Sequence, residues 1–214
     1  MIDNFELIKP LFYFNEANNM FFHCQIVQRA KDHPGEKTKE GAIKTYFVRS
    51  RGQLSRLKEE IILLCNLYGA RAYINPAAKD FFKVQTLLLM KLANDIYQGD
   101  VRNPRKCLNS AAGECKSRNP IWIVDIDNID DKEKVKKWLY AHYKEATKEK
   151  YALDTMDDQF WEISKAHYIK AEIPTKQGCH LLAVPFNLGK FSEEFPNIDV
   201  HKNSMGTLLY MPNL

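Results

Sequence analysis

Residues 122–128, Trp-Ile-Val-Asp-Ile-Asp-Asn (WIVDIDN), decide how the second half of this chain is read. An apolar run beginning at Ile121 has the length and β-branched character of a buried strand, and a strand is predicted over Ile121–Asp127. Side chains alternate along a strand, so Asp125 and Asp127 project from one face at its C-terminal end, and Trp122 falls on the opposite face. Two like charges on a buried strand destabilise one another unless a cation sits between them. Oxygen-liganded divalent metal is the usual remedy. Solvated or helix-capping residues at a strand end give the same local pattern.

Outward from this stretch, the periodicity predicts a helix over Asp131–Lys148, with Val135, Trp138, Leu139 and His142 on its inner stripe. Two strands, Tyr168–Ile173 and Cys179–Pro185, flank the turn sequence PTKQG. A short helix is predicted over Leu188–Phe195, followed by strands at Ile198–Lys202 and Thr207–Met211. The order β-α-β-β-α-β points to a ferredoxin-like or RRM-like unit with strand order 4-1-3-2. In that order the end of the first strand meets the starts of the third and fourth. Asp125 and Asp127, His180, and Asp199 are thereby expected along one edge of one sheet. His201 shares a strand face with Asp199.

The first half reads as an α/β module. FFHCQIVQR and AIKTYFVRS are β-like runs separated by the polar segment Lys31–Gly41, which predicts a hairpin with a long loop. Leu54, Leu57, Ile61, Leu64, Cys65 and Tyr68 mark a helix that Gly69 ends, and a strand follows at Ala70–Asn75. A helix over about Lys79–Tyr97 is apolar over so much of its circumference that burial is expected. Gly99–Asn119 shows no periodicity and reads as a linker or surface loop, with Cys107 and Cys115 as reduced loop thiols.

Composition sets outer limits. The net charge of +4 excludes a protein basic over its whole surface, but it conceals an asymmetry. Residues 1–120 carry 19 Lys and Arg against 12 Asp and Glu, whereas residues 121–214 carry 12 against 15. A basic first module (1–120) that contacts nucleic acid, beside an acidic second one (121–214), is the expected organisation, with Arg49, Arg51, Arg56 and Arg71 as candidate strand contacts. Neither a secretory leader nor an apolar run of membrane-spanning length is read in the sequence. A cytoplasmic protein without membrane contact is expected.

With these residues in place, the chain resembles the archaeo-eukaryotic primase superfamily, the primase-polymerases, of the kind carried by phages and mobile elements. The resemblance rests on Asp125 and Asp127 in VDID, on Gly178-Cys179-His180, and on Asp199 in IDVH. It implies an RRM-like catalytic unit preceded by an α/β module. It also implies a DNA primase or primase-polymerase that transfers nucleotides to a 3′-hydroxyl on a DNA or RNA template, in a bacterial or phage-infected cell. Asp125, Asp127 and Asp199 would hold Mg²⁺ or Mn²⁺, and His180 would contact the phosphates of the incoming nucleoside triphosphate. Lys176, His201 and Lys202 are further candidate triphosphate contacts, although Lys202 alternates to the face opposite Asp199. A helicase or another replication protein is the implied partner. Two other readings share these residues: a metal-dependent nuclease or end-processing enzyme, in which water replaces the 3′-hydroxyl, and a nucleic-acid-binding relative without catalysis. With Trp122 turned away from Asp125, the central strands offer no aromatic platform for stacked bases.

Overall fold

A computed structural model describes residues 1–12, 19–34, 41–100, 104–117, 119–151, 168–202 and 206–213. The segment 35–40 of the expected hairpin loop lies outside the described residues. The fold is mixed α+β with antiparallel sheets. The chain divides into two units, Met1–Pro120 with Lys202–Leu214, and Ile121–His201.

In the first unit, β1 (Ile2–Asp3) precedes a single helical turn, α1 (Phe5–Ile8). The hairpin of β2 (Met20–Gln28) and β3 (Gly41–Val48) leads into α2 (Arg51–Tyr68) and β4 (Arg71–Ile74). The two-residue β5 (Lys79–Asp80) runs directly into α3 (Phe81–Tyr97), and α4 (Pro104–Glu114) follows. Ser50 caps α2 by accepting from the Gln53 N–H, and Gly69 ends it in the left-handed conformation at φ 52°. Period-two alternation gives the sheet two apolar faces. Cys24, Tyr46 and Val48 lie on the face toward α2, where Cys65 is buried. Phe21 and Phe47 lie on the other, against Val84 of α3 and Ala111 and Ala112 of α4.

Three expectations are corrected here. Gly99–Asn119 is not a loop throughout, because Pro104–Glu114 is helical, with Cys107, Ala111, Ala112 and Cys115 buried at helical spacing. The buried Lys79 ammonium anchors the end of α4 by donating to the Cys115 carbonyl at 2.8 Å. Nor is α3 buried around its circumference: Phe82, Leu89, Met90, Ile96 and Tyr97 are exposed. Finally, Thr207–Met211 (β10) does not extend the second module. It pairs with β1 and β4, giving the order β1-β10-β4-β2-β3 with β5 against β2. All five residues of β10 are buried, so alternation carried no sign of which sheet it would join.

In the second unit, β6 (Trp122–Ile126) leads through a turn at Ile129–Asp131 into α5 (Lys132–Tyr151). The hairpin β7 (Ile169–Pro174) and β8 (Cys179–Ala183), the short helix α6 (Leu188–Glu194) and β9 (Asp199–His201) complete it. Asn187 caps α6 by accepting from the Lys190 N–H. The strand order is β7-β8-β6-β9, with every pairing antiparallel. Numbered along the chain and read from the β9 edge, that order is 4-1-3-2.

One face of this sheet, Val124, Ile126, Cys179, Leu181 and Ala183, forms a core with Val135, Leu139 and Tyr143 of α5 and Phe191 of α6. Trp122 lies on the same face, its ring 5.1 Å from that of Phe186. Glu172 of β7 is paired with Lys132 and Lys136 of α5. The second face carries Ile123, Asp125, His180 and Leu182. Among the described residues no helix is long and apolar enough to cross a membrane.

Candidate functional site

The register of β6 assembles the candidate site. Asp125 lies directly opposite His180 of β8 on one side and Asp199 of β9 on the other. Ile173 of β7 extends this row beyond His180, and the next row is His201, Ile123 and Leu182. Residues directly opposite in an antiparallel pair share a face, so Asp199, Asp125 and His180 form one polar row on the face turned away from α5 and α6.

The row is graded in burial. His180 is almost wholly buried, and its Nε2 lies 3.4 Å from Oδ1 of Asp125, whose side chain is 24% exposed. Asp199 is exposed. The buried imidazole therefore lies against one oxygen, Oδ1, of the Asp125 carboxylate. Like charges directly opposite on paired strands destabilise the pairing, and here the exposure of Asp199 to solvent weakens that repulsion.

Asp127 falls one residue past the end of β6, in an exposed bend. Among the described residues no three His, Cys, Asp or Glu side chains gather closely enough to hold a metal ion. The donor chemistry of Asp125 and Asp199, hard carboxylate oxygens on adjacent strands, nevertheless fits Mg²⁺ or Mn²⁺.

The turn between β7 and β8 closes on this end of the sheet. Thr175 N–H donates to the Gly178 carbonyl at 3.0 Å, and Gly178 N–H donates to the Thr175 hydroxyl at 3.1 Å. Gly178 lies so near β6 that a Cβ there would sit 1.8 Å from the Ile126 carbonyl oxygen and 3.0 Å from that of Asp127. The loop carrying Lys176 is thereby seated against the end of β6, with the Lys176 side chain exposed. His201 is half-buried, and Lys202 is exposed just beyond β9. Cys179 is no candidate nucleophile: burial, then the nearby Glu172 carboxylate, push its thiol pKa up and keep it protonated.

The four arginines do not act as a set. Arg71 is buried and is removed from the candidate strand contacts. Its Nε donates to Asp32 Oδ2 at 2.7 Å, its second nitrogen pairs with Asp32 Oδ1, and both side chains are at most 9% exposed. A bidentate pair of this kind leaves the guanidinium no phosphate-binding face. Arg49 and Arg51 flank the cap of α2. The Arg49 guanidinium lies 5.5 Å from the Phe81 ring centroid, and Arg51 Nε donates to the Phe12 carbonyl. Arg56 is exposed on α2.

Sequence reasoning passed over the Asp32–Arg71 pair, because the partners are 39 residues apart. It recognised Gly178 as part of a motif but not as a point of backbone contact, for which a glycine in a tight hairpin is the only sequence signal. No protein-family model, curated protein or solved structure matches the chain.

Proposed function

We propose that this protein is a metal-dependent nucleotidyltransferase of primase or primase-polymerase type, with its active site on the Asp199–Asp125–His180 row of a ferredoxin/RRM-like unit. The observation that carries the reading is the register: Asp125 stands between His180 and Asp199, so three motifs separated along the chain meet at one end of one sheet. The strand order β7-β8-β6-β9 supports the same assignment.

The reaction joins a 3′-oxygen to the α-phosphorus of a nucleoside triphosphate and releases pyrophosphate. A divalent cation held by Asp125 and Asp199, with Asp127 as a further carboxylate, would neutralise the charge of the phosphates. His180 acts on Asp125: buried and 3.4 Å from its carboxylate, the imidazole fixes that side chain's orientation. Lys176, on the turn that Gly178 seats against β6, would meet the β- and γ-phosphates, whereas His201 and Lys202 lie toward the opposite end of β9 from Asp199. On the first unit, Arg49, Arg51 and Arg56 remain as candidate contacts to the template strand.

The test is a template-directed primer-extension assay with Mn²⁺ and nucleotides, comparing the wild type with Asp125→Ala/Asp127→Ala and with Asp199→Asn. Extension by the wild type and its loss in the variants is the expected result. Shortened rather than extended primers would replace the polymerase assignment by a nuclease. Extension that persists in the double variant would overturn the site.

A further inference from the structure

The outer edge of β3 is open. β3 ends the order β1-β10-β4-β2-β3, so among the described residues no strand pairs with its far side. A groove of about 550 Å³ runs along it, walled by residues 41–45 and Phe47 of β3 and by Lys106, Leu108 and Asn109 of α4. Side chains alternate between the faces of a sheet, so a hollow on one face is lined by every second residue. Here consecutive strand residues line the groove, which therefore takes in the backbone edge of β3 itself.

Register shows which groups that edge presents. The Asn75 N–H donates to the His23 carbonyl at 2.8 Å, so His23 turns its peptide groups toward the β4 side of β2. The direction alternates along a strand, and Gln25 shares that of His23. Phe47 and Thr45, which lie opposite His23 and Gln25, therefore turn their own N–H and C=O groups away from β2 and into the groove. Gln25 ties the two walls together: its Nε2 donates to the Thr45 hydroxyl and to the Asn109 side-chain oxygen, each at 3.2 Å. Ile43, Phe47 and Leu108 give the groove a half-buried apolar lining. No acidic residue lines it among the described residues. Lys44 is paired with Glu60 of α2, whereas the exposed Lys106 ammonium has no acidic partner among the described residues.

We infer that this groove binds an extended, acidic peptide segment of a partner protein, added to β3 as a further antiparallel strand. The outward N–H and C=O groups of Thr45 and Phe47 match another polypeptide backbone in spacing and polarity. Strand addition of this kind takes its affinity from main-chain hydrogen bonds and its specificity from the alternate side chains. The antiparallel sense follows the sheet, in which every pairing is antiparallel. Residues opposite one another share a face, so the segment's residues opposite Phe47 and Thr45 point toward Leu108, where apolar side chains fit. The next residue on that face comes to Lys106. Asn109 lies at Thr45, and Ala112 and Cys115 pack with Phe21, beside the Val48 end of β3, so Lys106, about a turn before Asn109, falls toward Ile43. An acidic side chain belongs there, and charge complementarity sets the register.

Fluorescence anisotropy with the full chain and a labelled heptapeptide, Ser-Val-Thr-Val-Thr-Glu-Ser, tests the inference. Its valines are set opposite Phe47 and Thr45, and its glutamate beside Lys106. Saturable binding is expected. N-methylation of the two valines, whose amides face β3, should abolish it. N-methylation of the two threonines, whose amides face away, should leave it unchanged. Lys106→Glu, at an exposed position, should weaken binding by about two- to fivefold, and a peptide with lysine in place of glutamate should recover it. No saturation up to about 1 mM peptide, or equal loss from both methylation patterns, would overturn the inference. So would a dimer in light scattering that Thr45→Pro converts to monomer, because the edge would then belong to a second copy.

Discussion

Replacing Gly178 by alanine places a methyl carbon 1.8 Å from the carbonyl oxygen of Ile126 and 2.9 Å from its carbonyl carbon. Reaching even a tight 3.0 Å contact requires the β7–β8 turn and the end of β6 to separate by about 1.2 Å. The obstructing atoms are backbone, so no side-chain rotation relieves them, and the next residue pair, Ile126 with Cys179, is hydrogen-bonded strand. Overpacking of this kind costs about 1–3 kcal/mol, and a backbone obstacle puts Gly178→Ala near the top, at about 3 kcal/mol.

Urea denaturation followed by tryptophan fluorescence measures it, because Trp122 and Trp138 both lie in that unit. With a urea slope of about 2 kcal/mol per molar, the midpoint should fall by about 1.5 M. Gly189→Ala is the control. Its nearest neighbour is the Asn187 side-chain oxygen at 3.4 Å, and alanine favours its helix by about 0.5–1 kcal/mol. Asp125 and His180 are the very next pair along the ladder, so Gly178→Ala should also cost any extension activity, and Gly189→Ala should not. A Gly178→Ala midpoint equal to that of the control would refute the close approach.

Two further predictions concern the first unit. Arg71→Ala strands the Asp32 carboxylate, whose side chain is 3% exposed, and should destabilise the unit by about 3–5 kcal/mol in thermal or urea unfolding followed by circular dichroism; near-neutrality would show the pair to be dispensable. His23 supplies an acid-labile component. Burial, reinforced by the Lys79 charge, lowers its pKa from 6.5 to about 4, and its Nε2 is buried without a hydrogen-bond partner. Above pH 6.5 the ring is neutral in folded and unfolded chains alike. Between pH 6.5 and 4 the unfolded chain takes up a proton that the folded chain does not, so about 3 kcal/mol is lost as pH falls through that window. In His23→Leu this part of the stability–pH curve should flatten, and an unchanged slope would count against the assignment.

Where local periodicity met one-sided burial, the sequence reading and the structure agree closely. The second unit's elements lie within a few residues of their expected bounds, because each strand and helix there presents one apolar face to one core. The Ser50 and Gly69 signals bound α2 for local reasons, a cap and a left-handed stop, that need no tertiary partner.

Three misreadings have a common cause. α3 is apolar on two sides, and hydrophobicity does not tell a face that meets its own sheet from one that meets solvent. Cys107, Ala111 and Cys115 do recur every fourth residue, but small side chains carry a weak hydrophobic signal, so α4 read as a loop. β10 is buried on both faces, and alternation is silent for such a strand.

The sequence by itself determined most of the helices and strands, α4 excepted, where acidic and histidine motifs stand on them, and a division of the chain near Pro120. Those follow from interactions between residues close in the chain. Tertiary structure decided the rest: that Asp125 falls in line with both His180 and Asp199, that Gly178 touches the backbone of β6, that Arg71 is spent on Asp32, and that β10 returns to the first sheet. Each is a contact between segments distant in sequence, set by strand register and by which faces bury together, and neither is encoded in the pattern of any one segment.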